Sequence, residues 1–487
     1  MREIDSAQHM TGLSINDVKL ADLKYTTKGL LERIDFKNNV ASIEKQYENE
    51  TRLQDEVVTT KDSQETFTYS YDENHNITSI VRNEDNVTYV YDALNQLEAE
   101  IYSNGTTIHY TYDAAGNRTS KTTTKNGSTT TVDYVYNDAN QLKKVNEQAY
   151  EVDANGNLVN DGKFRYDWNA FDQLIKVTTI EGETVAEYRY DDQGRRVYSK
   201  VHFKDYNEET NYRYRGTSNQ VLFEEDANGS MTKAYTYDDN GYPLTMTYEG
   251  KIYYYLTNYR GDVLALVNEL GEEVATYTYD AWGNILSESG SMATINPYRY
   301  AGYRYDEETN LYYLMARYYN PDTGGFLSLD PVRGDTMNPI SMNGYNYANN
   351  NPVMNVDPDG EHPILVVIWS VISPILVWFA KKYGHKILSK AVKPLLKKRI
   401  QPLINKHLKN YEVKFFEGEV IFKIIKKGKG RLYSFDYGPI NYKKVGNVNS
   451  FHYHINYSKM HYVYRWNSTH YKGYKFKSES NYKWVWF

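Results

Sequence analysis

Along the first 290 residues, apolar or aromatic side chains alternate with polar ones in short runs punctuated by Gly, Asn and Asp. A period of two belongs to β-strands, where residues i and i+2 share a face. The clearest runs end in a tetrad, Tyr-x-Tyr-Asp. It occurs at near-equal intervals at Tyr69-Ser70-Tyr71-Asp72, Tyr89-Val90-Tyr91-Asp92 and Tyr110-Thr111-Tyr112-Asp113. It returns at Tyr188-Arg189-Tyr190-Asp191, Tyr235-Thr236-Tyr237-Asp238 and Tyr277-Thr278-Tyr279-Asp280, with Phe164-Arg165-Tyr166-Asp167 as a variant. Longer copies of the unit read Tyr112-Asp113-Ala114-Ala115-Gly116-Asn117-Arg118 and Tyr279-Asp280-Ala281-Trp282-Gly283-Asn284. In each, the two tyrosines lie on one face, Asp ends the strand, and Gly-Asn supplies the left-handed backbone of a tight turn. A second strand, such as residues 141–145, then returns. One hairpin cannot bury its tyrosine face, so the units must stack side by side. The pattern predicts a mainly β fold, a long curled antiparallel sheet over residues 61–297, preceded by an irregular or partial-repeat region at 1–60.

A different, non-repeating segment follows at 298–360. It contains RYYNPDTGGFLSLDP at 317–331 and NGYNYANNNP at 343–352, and it closes on Asp357-Pro358-Asp359-Gly360. Together with the repeats, this segment resembles the RHS/YD-repeat family with its RHS-repeat-associated core domain. The resemblance covers about three quarters of the chain and extends to Gram-positive wall-associated YD-repeat proteins. It implies a polymorphic toxin: repeats forming a β shell, a core plugging one end, and a variable C-terminal effector neutralised by a cognate immunity protein. It also implies a secreted or cell-surface protein, with carbohydrate or cell wall as further partners. The dozen or so repeats here predict a partial shell, an open cup. Some members of the family cleave themselves just past Asp-Pro-x-Gly by aspartate chemistry, which makes Asp330 and Asp357 the candidates. Two close carboxyls can share a proton, one acting as base on water and the other as acid. Glu361 stands where leucine follows that motif in self-cleaving members. The alternative is that both aspartates cap turns before their prolines.

Beyond Gly360 the pattern changes again. Residues 363–380 (PILVVIWSVISPILVWFA) carry no charge and are followed by Lys381-Lys382. Eighteen such residues suffice for a membrane span, and they equally suit an apolar helix held inside the shell. From 385 to 410, Leu388, Val392, Leu395, Leu396, Leu403, Ile404 and Leu408 recur at helical spacing opposite lysines, interrupted by Pro394 and Pro402. Residues 361–410 thus predict an apolar and basic helical linker, with membrane binding as the alternative. Residues 411–487 return to period two and predict a small β-rich domain. In 451–456, alternation puts His452, His454 and Asn456 on one face; in 461–466 it does the same for His461 and Arg465. The short link Ser458-Lys459 predicts a hairpin that brings these faces together. Imidazoles beside a cation suit metal-free RNA cleavage. One takes the 2′-hydroxyl proton, another protonates the leaving oxygen, and Arg465 holds the phosphate. No cofactor is needed for that chemistry. Three histidines could instead hold zinc, or serve no catalytic role.

Composition sharpens two points. Tyrosine outnumbers phenylalanine 51 to 15, and there is no cysteine. Disulfides and thiolate metal sites are therefore excluded. The net charge of −7 conceals a division. Residues 361–487 hold 24 Lys+Arg against 6 Asp+Glu, or +18, which leaves −25 for residues 1–360. A tail so basic points to nucleic acid, to anionic lipid or to the acidic module of residues 1–360 itself. The polar stretch from Met1 to Leu20 lacks the pattern of a secretory signal. The combined expectation is an RHS polymorphic toxin of interbacterial competition, or a truncated orphan cassette of one, whose tail is a nuclease acting on RNA. The rivals are membrane permeabilisation through residues 363–410 and a non-enzymatic surface-adhesion remnant.

Overall fold

The computed structural model describes residues 2–361 except 8, 50, 51, 217 and 332–338, then the strand Ile364–Leu365 and the backbone of six strands between Tyr411 and Trp486. The chain divides into two compact units, residues 1–371 and 372–487.

In the first unit, the strands from Arg2 to Ala149 form one sheet of 15 and those from Glu151 to Ser289 a second of 14, each in strict chain order. Residues 2–60 contain no tetrad, yet they carry six strands of the same sheet. Apolar alternation alone builds them, as in Leu31–Phe36, where Ile34 and Phe36 are buried.

The repeat chemistry explains the rest. In the turn after each tetrad the aspartate does more than end the strand. Asp113 Oδ1 accepts the backbone N–H of Ala115 and of Asn117, both at 2.9 Å, and its Oδ2 accepts Asn117 Nδ2 at 2.8 Å. Gly116 sits at φ +77°, where a Cβ is disfavoured. Asp72, Asp92, Asp153 and Asp280 make the same contact with the backbone N–H four residues on. Each turn ends in a register shift, which pairs Tyr112 with Arg118 and Tyr190 with Arg196. The second tyrosine of the tetrad then reaches back one hairpin. Its hydroxyl donates to the carbonyl of the residue just past the previous shift: Tyr71 to Leu53, Tyr91 to Ile77, Tyr112 to Leu97 and Tyr190 to Leu174, each at 2.6 Å. A bulge disturbs the ladder locally, and this hydroxyl gives the carbonyl beside it a partner. Phenylalanine could fill the same space without doing so.

The core segment adds a four-stranded sheet, Arg304–Asp306, Leu311–Leu314, Arg317–Asn320 and Gly325–Phe326. Its aromatics fill the space between the large sheets. One continuous cluster joins Leu20, Phe36 and Tyr110 of the first sheet, Tyr254 and Val267 of the second, and Trp282, Tyr300, Tyr312, Tyr319 and Tyr347. Phe36 meets Tyr254 at 5.3 Å between ring centres, and Tyr110 meets Trp282 at 5.7 Å. The inner faces of the described strands therefore close on each other and on the core. A run of asparagines fastens this core to the repeat turns. Asn343 Nδ2 donates to Asn117 Oδ1 (2.6 Å), Asn350 Nδ2 to Gln96 Oε1 (2.8 Å), and Asn351 Nδ2 to the Asn95 carbonyl (2.9 Å).

Of the segment 361–410, Ile364–Leu365 is a strand paired with Asn355–Val356, because the turn at Gly360 (φ +72°) sends the chain back on itself. The expected helices of that segment lie outside the described residues. Among the described residues no helix is long and apolar enough to cross a membrane.

The second unit is a six-stranded sheet in chain order: Tyr411–Phe415, Val420–Lys426, Gly430–Tyr442, Gly446–Ile455, His461–Arg465 and Tyr482–Trp486. Its last pair is parallel.

Candidate functional site

Asp330 and Asp357 are well separated in sequence and meet at one side chain. Arg317, at the start of a core strand, is 2% exposed and lies with its guanidinium 3.5 Å from the centre of the Phe326 ring. Its Nη2 is 2.9 Å from Asp330 Oδ2 and 3.3 Å from Asp357 Oδ2. Its Nη1 donates to the Gly344 carbonyl at 2.9 Å, and its Nε donates to the carbonyl of Gly360. Asp330 N–H donates to Gly344 O at 2.9 Å, and Asp357 N–H donates to the Tyr303 hydroxyl at 2.8 Å. Asp357 is fully buried. Burial pushes the Arg317 pKa below its ordinary value, opposed by the two carboxylates. An arginine stays charged in a protein, and here two ion pairs hold that charge in a buried place.

Gly360 is fixed at this place. A Cβ there would come within 2.6 Å of the Leu314 carbonyl. The carbonyl that receives Arg317 belongs to the peptide bond joining Gly360 to Glu361, the position just past Asp-Pro-x-Gly. A guanidinium aimed at a carbonyl oxygen polarises it and favours negative charge developing there. The family resemblance singles out the two aspartates and misses Arg317. Its only local signal is an arginine opening a run of consecutive buried residues, Arg317 to Tyr319, since its partners lie well downstream, as far as Gly360.

In the second unit, the strand holding His452 and His454 pairs antiparallel with the strand holding His461 and Arg465. The register sets His452 opposite Val463 on one side and Asp436 on the other. His454 lies opposite Ser434. Continuing the His452–Val463 register by two residues brings His454 and His461 to facing positions. By strand alternation His452, His454, His461 and Arg465 then fall on one face of the sheet, with Ser434 and Asp436 beside them. The zinc alternative rests on side chains outside the described ones. Among the described residues no group of three His, Asp or Glu is placed to hold a metal.

Residues 79–353 match the teneurin YD-shell family. The chain belongs to that family. This YD-shell chain is 50% identical over 279 residues to the tRNA3(Ser)-specific nuclease WapA of Bacillus spizizenii, a match covering 57% of the chain and 12% of that protein. It is equally 50% identical over 279 residues to the tRNA nuclease WapA of Bacillus subtilis, with the same coverage. The chain thus spans about an eighth of the length of these curated relatives. Among solved structures, its fold is similar to that of the Photorhabdus luminescens Tc holotoxin pore, with a TM-score of 0.64 and 20% identity, over 74% of this chain and 20% of that one. That likeness is one of fold.

Proposed function

We propose that the chain is the carrier end of an RHS-type toxin of bacterial competition, secreted or displayed at the cell surface, in which the YD-shell unit holds and releases a basic unit that cleaves RNA. The observation carrying the release step is the meeting of Arg317 with Asp330, Asp357 and the Gly360 carbonyl. In this reading one aspartate takes a proton from water, and the water oxygen attacks the Gly360 carbonyl carbon. Arg317 stabilises the resulting oxyanion, and the second carboxyl, protonated for the step, gives its proton to the leaving amine of Glu361. The strand pair Asn355–Val356 with Ile364–Leu365 keeps the two products associated after the bond breaks.

RNA as the target is supported by the names of the Bacillus relatives, the +18 tail and the placement of His452, His454, His461 and Arg465 on one sheet face. A cognate immunity protein would protect the producer.

Two measurements test the reading. Purified full-length protein should split near residue 361 on incubation, and Asp330→Asn or Asp357→Asn should keep it whole; an intact wild type removes the release step. Expression of the full chain in a test bacterium should deplete RNA while membrane potential holds. Depolarisation with intact RNA would instead favour a membrane-active segment at 363–410, and no toxicity would favour an adhesion remnant.

A further inference from the structure

Seven arginines are buried among the described residues, and six of them meet a carboxylate. Arg118 is the exception. Its environment has an internal control, because Arg196 occupies the same place in another repeat, paired across from the second tyrosine of its tetrad. Both guanidiniums sit in aromatic cages, of three rings at Arg118 and of four at Arg196, where Tyr318 is the fourth at 5.9 Å. Arg118 lies 5.5, 4.9 and 4.9 Å from the rings of Tyr110, Tyr134 and Trp282. Arg196 lies 4.9, 5.3 and 4.5 Å from those of Tyr188, Tyr212 and Tyr313. They part company in the plane of the group. Arg196 binds both oxygens of Asp306, at 2.5 and 2.8 Å. Arg118 Nη2 reaches only the Asp322 carbonyl (2.5 Å) and the Tyr134 hydroxyl (3.3 Å), and its Nε and Nη1 find no acceptor.

Ring faces offset part of the charge of a buried cation but accept none of its in-plane hydrogen bonds. A buried guanidinium with two idle donors and no counter-charge is therefore an unfinished arrangement. Beside it lies a cavity of about 60 Å³, room for a few water-sized groups, lined by Arg118, Tyr136, Asn343, Tyr345 and Asn346. A second idle buried donor, Asn346 Nδ2, belongs to this lining. Among the described residues no aspartate or glutamate lines it.

We propose that this cavity binds a small oxyanion, inorganic phosphate or a simple carboxylate, which gives Arg118 the counter-charge that Asp306 gives Arg196. Because the lining joins the first large sheet to the core, a bound anion ties the two together and stabilises only the folded unit.

The test is thermal unfolding of the full chain at constant ionic strength, with chloride replaced stepwise by phosphate, sulfate or acetate. A saturable rise of about 3 °C is expected at concentrations well above Kd. A response to phosphate and sulfate alone assigns a tetrahedral anion, and a response to acetate alone assigns a carboxylate. Phosphate and sulfate also stabilise proteins non-specifically, so two variants carry the decision. Arg118→Gln should lose the saturable response. Asn346→Asp places a carboxylate in the lining and should melt higher in chloride and no longer respond. Equal melting of the wild type in all four anions overturns the proposal, as does an undiminished phosphate response in Asn346→Asp. Should Arg118→Gln fail to fold, those two measurements decide alone.

Discussion

The shell unit and the basic tail unit are both sheets laid down in chain order, antiparallel except for the last pair of the tail, yet they spend their polar chemistry differently. In the shell, the same three devices recur from repeat to repeat: an aspartate or asparagine holding the turn, a left-handed residue, and a tyrosine hydroxyl closing the carbonyl beside the register shift. In the tail the notable residues occur once, on two neighbouring strands, and the core junction around Arg317 is likewise unique. Repetition distributes risk, whereas a site concentrates it. Substitutions should therefore have small, equal effects in the repeats and large, unequal ones at the junction and in the tail.

The largest effect is expected in the tail. His454→Ala or His461→Ala should reduce RNA cleavage by about 10²–10⁴-fold with binding nearly intact. Lys443→Ala should weaken binding modestly and lower its salt dependence. Cleavage and filter-binding assays on the same preparations separate the two. A chelator should leave cleavage unchanged in a metal-free site and abolish it in a zinc site. If His452, His454 and His461 can all be replaced without loss of toxicity, the unique face is not a catalyst and the contrast collapses.

Next comes the junction. Arg317→Met strips the cation from two carboxylates, one of them fully buried. Breaking a buried pair from one side costs about 3–5 kcal/mol. A matching loss of stability by denaturant titration is expected, together with loss of any splitting near residue 361. A loss under about 1 kcal/mol, the size of one ordinary hydrogen bond, would mean that the junction is as redundant as a repeat.

These positions also mark how far the sequence could be read. The tetrads were legible because strand period, turn residues and stacking are all encoded within a single repeat. The strands of 2–60 were less so, since they obey the same geometry without the tyrosines that announce it. Arg317, Arg118 and the Asn343–Asn351 contacts were out of reach for a different reason. Asn350 binds Gln96 across 254 residues, and Arg118 binds Asp322 across 204. Nothing in a local window signals such partners. The aspartates of the junction were found through family resemblance, and their common arginine through structure.

A smaller effect, dependent on pH, separates one repeat turn from its siblings. Asp238 Oδ1 accepts the N–H groups of Asn240 and Tyr242 at 2.9 Å, but burial, helped by neighbouring Asp239, raises its pKa to about 6. The folded state thus holds a proton more tightly than the unfolded chain. That contribution to stability is complete below about pH 4 and is lost as pH rises through 6. Asn258 makes the same two turn contacts without a charge, at 3.0 Å each. Asp238→Asn should accordingly leave stability unchanged below pH 4 and raise it by on the order of 2 kcal/mol above pH 7. A pH-independent change would show that the turn needs the carboxylate itself.

The smallest effects should be those of single tyrosine ties, and their uniformity is what makes them informative. Tyr91, Tyr112 and Tyr190 each donate to a backbone carbonyl at 2.6 Å from a half-buried ring. Phenylalanine keeps the ring and its packing, so only hydrogen bonding is lost: one bond at Tyr91 and at Tyr112, and two at Tyr190, whose hydroxyl also meets that of Tyr318 at 3.1 Å. A net contribution of about 1 kcal/mol is typical, rising where the abandoned carbonyl cannot reach water. Tyr91→Phe and Tyr112→Phe should therefore each cost about 1 kcal/mol, and Tyr190→Phe about 1–2 kcal/mol, in denaturant titrations with unchanged slope. Tyr91 and Tyr190 belong to different large sheets and tie to different carbonyls. Their double variant should equal the sum of the singles within about 0.5 kcal/mol. A double variant costing several kcal/mol more would mean that the repeats act as one cooperative lattice. The shell would then share the all-or-none character assigned here to the junction and the tail.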